Sequence, residues 1–297
     1  MNRRPLSASG TKATFRSGFA TLIGRPNVGK STLLNKVLGT KVSIVSDKVQ
    51  TTRTQVRGVL NVDGAQVVFV DTPGIHRPRT LLGERSNEAA TSSIGDVDLV
   101  CVLIDATMPL GKGDRFVAAR APKNSFLILN KCDIAPRTEI LNQLRRASEF
   151  QFDEYFPVSA RTGEGLDELV QAIVARMPNG PQYYPPDMLS DSSDAFWIGE
   201  LVREQLLART AEELPHSIAC RVTEYEEREE RGPYVRVEIL VERESQKPIV
   251  IGRGGAVLKA VGTAVREQLP DGAFVDLHVR VDKDWQRRSK SLDRLGY

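Results

Sequence analysis

The octapeptide Gly24-Arg25-Pro26-Asn27-Val28-Gly29-Lys30-Ser31 constrains this 297-residue chain more than any other segment. It matches G-x-x-x-x-G-K-[ST] and lies between an apolar run, Phe19–Ile23, and a helix-compatible one, Thr32–Val37. A strand that feeds such a loop into a helix presents successive backbone N–H groups, and the positive end of the helix, to an anion. Gly29 lets the backbone pass close to a phosphate with no side chain in the way. Lys30 is expected to reach the β- and γ-phosphates, and the Ser31 hydroxyl to complete a magnesium shell. By itself the loop specifies only a nucleoside triphosphate, because ATPases, small-molecule kinases and GTPases all carry one.

The rest of the first 177 residues fits that loop. Short apolar runs at Val67–Val70, Leu99–Ile104, Phe126–Leu129 and Tyr155–Val158 alternate with helical patterns. The clearest of these places Leu166, Leu169, Val170, Ile173 and Val174 on one stripe. Strands alternating with helices predict an α/β fold with a mostly parallel sheet covered on both faces, and its ligand at the carboxyl ends of the strands. Three widely spaced cysteines, Cys101, Cys132 and Cys220, exclude a disulfide framework or a Cys-based zinc site. No run approaches the roughly 18 uninterrupted apolar residues of a membrane span. Residues 1–16 carry four basic residues and no acid, and are expected to form a flexible tail.

Three segments after predicted strands narrow the nucleotide. Asp71-Thr72-Pro73-Gly74 places an aspartate that can hold magnesium through water and a glycine, Gly74, that can offer its N–H to a γ-phosphate. Upstream, Gln50-Thr51-Thr52-Arg53 supplies two threonines, either of which could ligate magnesium when the γ-phosphate is present. Asn130-Lys131-Cys132-Asp133 selects the base: a carboxylate accepts two hydrogen bonds from guanine N1–H and its 2-amino group, whereas adenine turns a lone pair toward it. Ser159-Ala160 could close the pocket through the Ala160 N–H.

Charge divides the chain. Residues 1–186 hold 24 Lys and Arg against 17 Asp and Glu, whereas residues 187–297 hold 17 against 21. Within the second part, 200–244 sums to −5 and 245–297 to +4, so a polyanion could be met by one face only. Pro178–Pro186, with four prolines in nine residues, reads as a semi-rigid linker within 178–193. Beyond it come a helix near 194–210, strands near 218–225 and 234–241, a helix ended by Pro270 and a last strand, Phe274–Val281. Gly252-Arg253-Gly254-Gly255 fits the G-x-x-G loop with which KH domains clamp a nucleic-acid backbone, and Lys259 adds charge on the same side. The acidic run 224–230 reads as a solvated hairpin surface. Trp285, near Arg287, Arg288 and Lys290, reads as a core indole, with stacking on a base as the alternative.

In their order, GRPNVGKS, TTR, DTPG, NKCD and SA resemble the GTPase domain of the translation-factor class. Glu213–Ser217, Leu240–Lys247, the G-x-x-G loop and the terminal Leu295-Gly296-Tyr297 resemble the KH domain of the Era family of bacterial ribosome-assembly GTPases, so that the likeness covers about residues 17–297. It implies a P-loop GTPase domain at 17–177, a linker at 178–193 and a smaller α+β type II KH domain at 194–297. It also implies GTP and GDP with Mg²⁺ as ligands, and the 3′ end of small-subunit ribosomal RNA and the 30S subunit as partners. Among the residues it favours Thr52 over Thr51, and it groups Lys30, Thr52, Asp71 and Gly74 as catalytic and Ser31, Thr52 and Asp71 as metal ligands. Residues 24–32 and 71–75, with Asn130, Lys131, Asp133, Ser159 and Ala160, would bind nucleotide, and Gly252–Gly255 with Lys259 would bind RNA. Asn27 matches the asparagine that some related GTPases use to hold potassium. A cytoplasmic monomer with peripheral association at the inner membrane accompanies the reading. A signalling GTPase acting through protein or membrane partners is the alternative.

One departure stands out. Ras-like enzymes place a water-orienting glutamine just after D-x-x-G, and here Ile75 stands there, followed by His76. An aliphatic side chain cannot orient water, which predicts a slow GTPase.

Overall fold

A computed structural model describes residues 15–48, 50–210, 214–228 and 232–297. Most of the expected tail, the Glu213 of the second motif and part of the acidic run therefore lie outside the described residues. Arg16 does not belong to a tail. It opens strand β1 (Arg16–Gly24), where its guanidinium donates to the Ala175 carbonyl at 2.5 Å and its N–H to Gly64 at 3.0 Å.

The first unit is built on a six-stranded sheet ordered β2-β3-β1-β4-β5-β6, in which β2 is Val56–Val62, β3 Ala65–Asp71, β4 Leu99–Asp105, β5 Phe126–Asn130 and β6 Glu154–Pro157. Helices α1 (Lys30–Leu38) and α5 (Leu166–Arg176) cover one face, burying Leu33, Leu34, Leu169 and Ile173 against Leu99, Cys101 and Leu103. On the other face, α2 (Leu81–Ser92), α3 (Lys112–Ala118) and α4 (Arg137–Ala147) bury Ala90, Val117 and Ala147 among Val100, Val102 and Ile104. Alternate residues of β4 thus feed two cores, as a strand buried on both sides requires.

All pairings are parallel except that of β2 with β3, which is antiparallel with Val62 opposite Ala65. The apolar runs did not announce β2. Arg57, Gly58 and Asn61 interrupt its apolar residues because it lies at the sheet edge, but Asp63-Gly64, with Gly64 at φ +70°, is the hairpin turn that marks it. The proline-rich segment is no free spacer. The Pro178 carbonyl accepts from the Ser17 N–H, the Gln66 side chain accepts from the Tyr183 and Tyr184 N–H groups, and Leu189 accepts from the Val59 N–H. With Ser190 bridged to Gly58, it straps the outer edge of β2 and occupies groups that an open edge would expose.

The second unit comprises α6 (Asp194–Arg209), α7 (Leu214–Ser217) and a three-stranded sheet, β7 (Ala219–Glu226), β8 (Tyr234–Val241) and β9 (Phe274–Val281), together with α8 (Lys247–Ile251), α9 (Ala256–Arg266) and α10 (Ser289–Leu295). β7 runs antiparallel and β9 parallel to β8, which is the type II KH arrangement. Leu201, Val202 and Leu206 of α6, with Val261 and Val265 of α9, are buried against Val235, Val237 and Ile239. By length and composition Glu244–Arg266 could cross a membrane. Positive φ at Gly252, Gly254 and Gly255 instead folds it into two helices around a turn, and α9 packs into the core.

Candidate nucleotide and RNA sites

At the carboxyl end of β1 the chain turns through the phosphate loop into α1. Gly29 has φ +97°, and a β-carbon there would come within 2.3 Å of the Asn130 side-chain nitrogen. The close approach that requires glycine is therefore to Asn130 as well as to any phosphate. Asn130 donates to the Val28 carbonyl at 2.9 Å and accepts from the Ala160 N–H at 2.9 Å, so it ties the phosphate loop to the two loops that would hold the base. Lys30 is buried, its ammonium 3.1 Å from the Arg25 carbonyl and 3.4 Å from that of Gly24. Burial pushes its pKa down to about 8, an effect that Asp71 partly offsets. A phosphate anion beside it would raise that pKa again.

Ser31 donates to Asp71 Oδ2 at 2.7 Å and lies 3.0 Å from the Thr52 hydroxyl, which is itself 3.5 Å from Asp71. Asp71 is fully buried, and its Oδ1 has no hydrogen-bond partner among the described residues. Burial raises its pKa, opposed by Lys30 and by the hydroxyls of Ser31, Ser43 and Thr52. Asp71 Oδ2 with the Ser31 and Thr52 hydroxyls that reach it is a hard, all-oxygen donor set that fits Mg²⁺, and the unpartnered Oδ1 leaves the same carboxylate short of hydrogen bonds. These residues would hold the ion, which would neutralise charge on the phosphates. Thr52, not Thr51, faces this point: the Thr51 hydroxyl donates back to the Lys48 carbonyl.

Two sequence candidates turn elsewhere. The Thr72 hydroxyl donates to the Leu22 carbonyl at 2.7 Å and is buried. The side chain of Ile75 is 3% exposed and packs in the core with Ala90 and Val100, while its N–H donates to Gly24. Both brace the loop rather than face the cleft lined by Pro26, Asn27, Gly29–Thr32, Gln50–Thr52 and Gly74. A β-carbon on Gly74 would stand 2.7 Å from the Pro26 nitrogen, so only glycine lets these two loops meet. Arg25 pairs with Asp114 of α3 at 3.2 Å. At the base end, Asp133 is exposed and its Oδ1 accepts from Ser159 at 2.8 Å, while Lys131 reaches Asp105 at 2.5 Å. Sequence reasoning missed Ser43, which donates to Asp71 Oδ2 at 2.9 Å, and the Gln50–His76 contact at 2.5 Å; both arise in irregular segments without periodicity.

In the second unit, Gly252 (φ +77°, ψ 164°), Gly254 (φ +60°) and Gly255 (φ +79°) shape the turn between α8 and α9, with Arg253 and Lys259 exposed beside it. Trp285 is a core indole. It is fully buried, donates to the Ser217 carbonyl at 2.9 Å and packs on Leu82 and Leu292.

Comparison with known proteins agrees with this geometry. Residues 19–131 match a family described as 50S ribosome-binding GTPase, and residues 213–286 match the KH domain. The chain is 44% identical to the GTPase Era of Geobacter metallireducens, covering 95% of this chain and 98% of that one. It is 40% identical to the GTPase Era of Leuconostoc citreum, over 96% and 98%. The chain belongs to the Era family of GTPases. Two solved Era structures, each 36% identical and covering 95% of this chain and 99% of the other, superpose along its length. An Aquifex aeolicus Era variant bound to GDP and AlF4⁻ gives a TM-score of 0.90. An Era in complex with MgGDPNP and nucleotides 1506–1542 of 16S ribosomal RNA gives 0.91.

In this Era-family chain the two units meet at the nucleotide-facing loop itself. Arg53, next to Thr52, is 5% exposed: its guanidinium donates to the Ile218 carbonyl at 2.7 Å and the His216 carbonyl at 3.2 Å, and lies over the rings of both Trp285 and Tyr297, 5.3 and 5.5 Å from their centres. From the other side, buried Arg203 of α6 donates to the Thr51 carbonyl, and Glu204 accepts from the Val45 N–H at 2.9 Å. Arg85 of α2 adds a 2.7 Å pair to Asp293. The TTR triplet therefore has two faces, one against Ser31 and Asp71 and one inside the KH unit.

Proposed function

We propose that this chain is a GTP-dependent switch whose KH unit (194–297) binds the 3′ region of small-subunit ribosomal RNA and assists assembly of the 30S subunit. The observation that carries it is the adjacency of Thr52 and Arg53. A threonine that senses the γ-phosphate through Mg²⁺ is one peptide bond from an arginine buried in the KH unit. GTP bound at 17–177 orders Thr52 and Gly74, fixes Arg53, and so sets the KH unit, which the strap at 178–193 confines to a narrow range of positions. Hydrolysis frees Thr52 and loosens the clamp. An Era bound at once to MgGDPNP and 16S ribosomal RNA supports the two sites being filled together.

Lys30, Ser31, Thr52, Asp71 and Gly74 do the phosphate chemistry in this reading, Asn130, Asp133, Ser159 and Ala160 select guanine, and Gly252–Gly255 with Lys259 grip RNA. Ultraviolet crosslinking of the full chain to a 16S 3′ fragment tests it. Adducts are expected within 252–259, and their absence there would favour a signalling GTPase with protein partners.

Asn27 carries a narrower proposal, a potassium ion beside the phosphates. Its side-chain nitrogen donates to the Asp47 carbonyl at 2.7 Å, so the amide oxygen is the atom of this side chain that would meet a cation. Hydrolysis should then be faster in K⁺ than in Na⁺, and equal rates would remove the ion. The reading puts a monomer in the cytoplasm with peripheral contact at the inner membrane; co-sedimentation with anionic vesicles, against the free chain, checks that contact.

A further inference from the structure

Hydrolysis needs a group that accepts a hydrogen bond from the attacking water, and Ile75, turned into the core, is not that group. The geometry points to Gln50 as the water-orienting residue of this site and to His76 as the residue that positions it. The inference rests on the GTPase reading above and names a residue of the same site.

Gln50 lines the phosphate cleft together with Lys30, Ser31, Thr52 and Gly74. Its backbone sits at φ +64°, a conformation that most side-chain-bearing residues avoid and that functional loops retain at a cost. Its side-chain nitrogen lies 2.5 Å from His76 Nε2. The other ring nitrogen, Nδ1, lies 2.8 Å from the Gly74 carbonyl oxygen. A carbonyl only accepts, so Nδ1 carries the proton, and Nε2 of the neutral ring is an acceptor. The Gln50 amide must therefore turn its NH₂ group toward His76, since the opposite orientation would set its oxygen against an unprotonated nitrogen.

That choice leaves Oε1, which has no hydrogen-bond partner among the described residues, as the acceptor available to a water. His76 is itself held by α2: Asn87 donates to its carbonyl at 2.6 Å and accepts from its N–H at 3.3 Å. The amide that Ras-like enzymes place after D-x-x-G is here supplied from the opposite loop and fixed by the histidine that follows Ile75. In the reaction the water oxygen bonds to the γ-phosphorus as the bond from phosphorus to the β-bridging oxygen breaks. The electron pair leaves with GDP, the water's proton ends on the phosphate released, and Gln50 orients the water without gaining or losing a proton.

Single-turnover hydrolysis of MgGTP by the full chain, with GDPNP affinity measured in parallel, tests this. Gln50→Ala should lower the rate about 10- to 100-fold while GDPNP affinity stays within about threefold, the signature of an interaction made only in the transition state. His76→Ala should do the same, and the double variant should be no slower than either single one. His76→Gln, which restores an acceptor for the Gln50 amide, should recover much of the loss, as a merely structural role for the ring would not allow. A Gln50→Ala rate equal to wild type, a loss that appears entirely as weaker nucleotide binding, or additive losses in the double variant would each overturn the assignment. Wild-type chain that hydrolyses no GTP would instead defeat the GTPase reading.

Discussion

Replacing Asp133 with asparagine should exchange guanine for xanthine. The carboxylate is set by Ser159 at 2.8 Å, and its loop is held to the phosphate loop through Asn130, so the substitution changes hydrogen-bond polarity with little change in shape. Guanine offers two donors to a carboxylate; an asparagine nitrogen would face the 2-amino group donor to donor. Xanthine carries an oxygen there and accepts. GTP affinity is expected to fall by about 10³- to 10⁴-fold, as when a site's polar partners are left unpaired, while affinity for xanthosine triphosphate rises. Competition binding reads both, and an unchanged base preference would overturn the role of Asp133.

Gly254→Asp should abolish RNA binding and leave the nucleotide site untouched. The position has φ +60° and ψ 24°, which aspartate tolerates better than most residues, and a β-carbon there meets nothing within 4 Å. The turn can therefore survive while its carboxylate faces the phosphates that the loop would clamp. RNA affinity should drop at least about 100-fold, since like charges forced together cost several kcal/mol, with GTP affinity within about twofold. Gly252→Asp is a poorer probe: its β-carbon would stand 2.7 Å from the Val257 nitrogen at φ +77°, so the turn itself would shift. RNA affinity retained in Gly254→Asp would remove the G-x-x-G loop from the interface.

What could be read in advance were features that repeat or obey fixed chemistry. Buried strands such as Leu99–Ile104 carry continuous apolar runs, and the phosphate loop, DTPG and NKCD combine glycines and polar residues at spacings that few other tasks demand. Edges and contacts distant in sequence were not legible. β2 escaped because it lies at the sheet edge, where Arg57, Gly58 and Asn61 interrupt its apolar residues, although Asp63-Gly64 marks its turn. Pro178–Pro186 read as a spacer because proline fixes stiffness, not attachment; Gln66, 117 positions before Tyr183, supplies that attachment. Nothing in Gln50-Thr51-Thr52-Arg53 marks Arg53 out, and only the fold brings the Ile218 carbonyl, 165 residues away, to its guanidinium. Ile75 matched the place of a glutamine, but its side chain follows hydrophobicity into the core.

Affinity for a 16S 3′-end RNA, measured at one salt concentration with magnesium and GDPNP, with GDP and with no nucleotide, tests the central claim most directly. The account predicts binding about tenfold or more tighter with GDPNP than with GDP, a coupling within the usual range for linked sites. Arg53→Ala should bring that ratio close to one while GDPNP affinity holds. Equal RNA affinity in all three states of the wild-type chain, or a ratio that Arg53→Ala leaves intact, would contradict it.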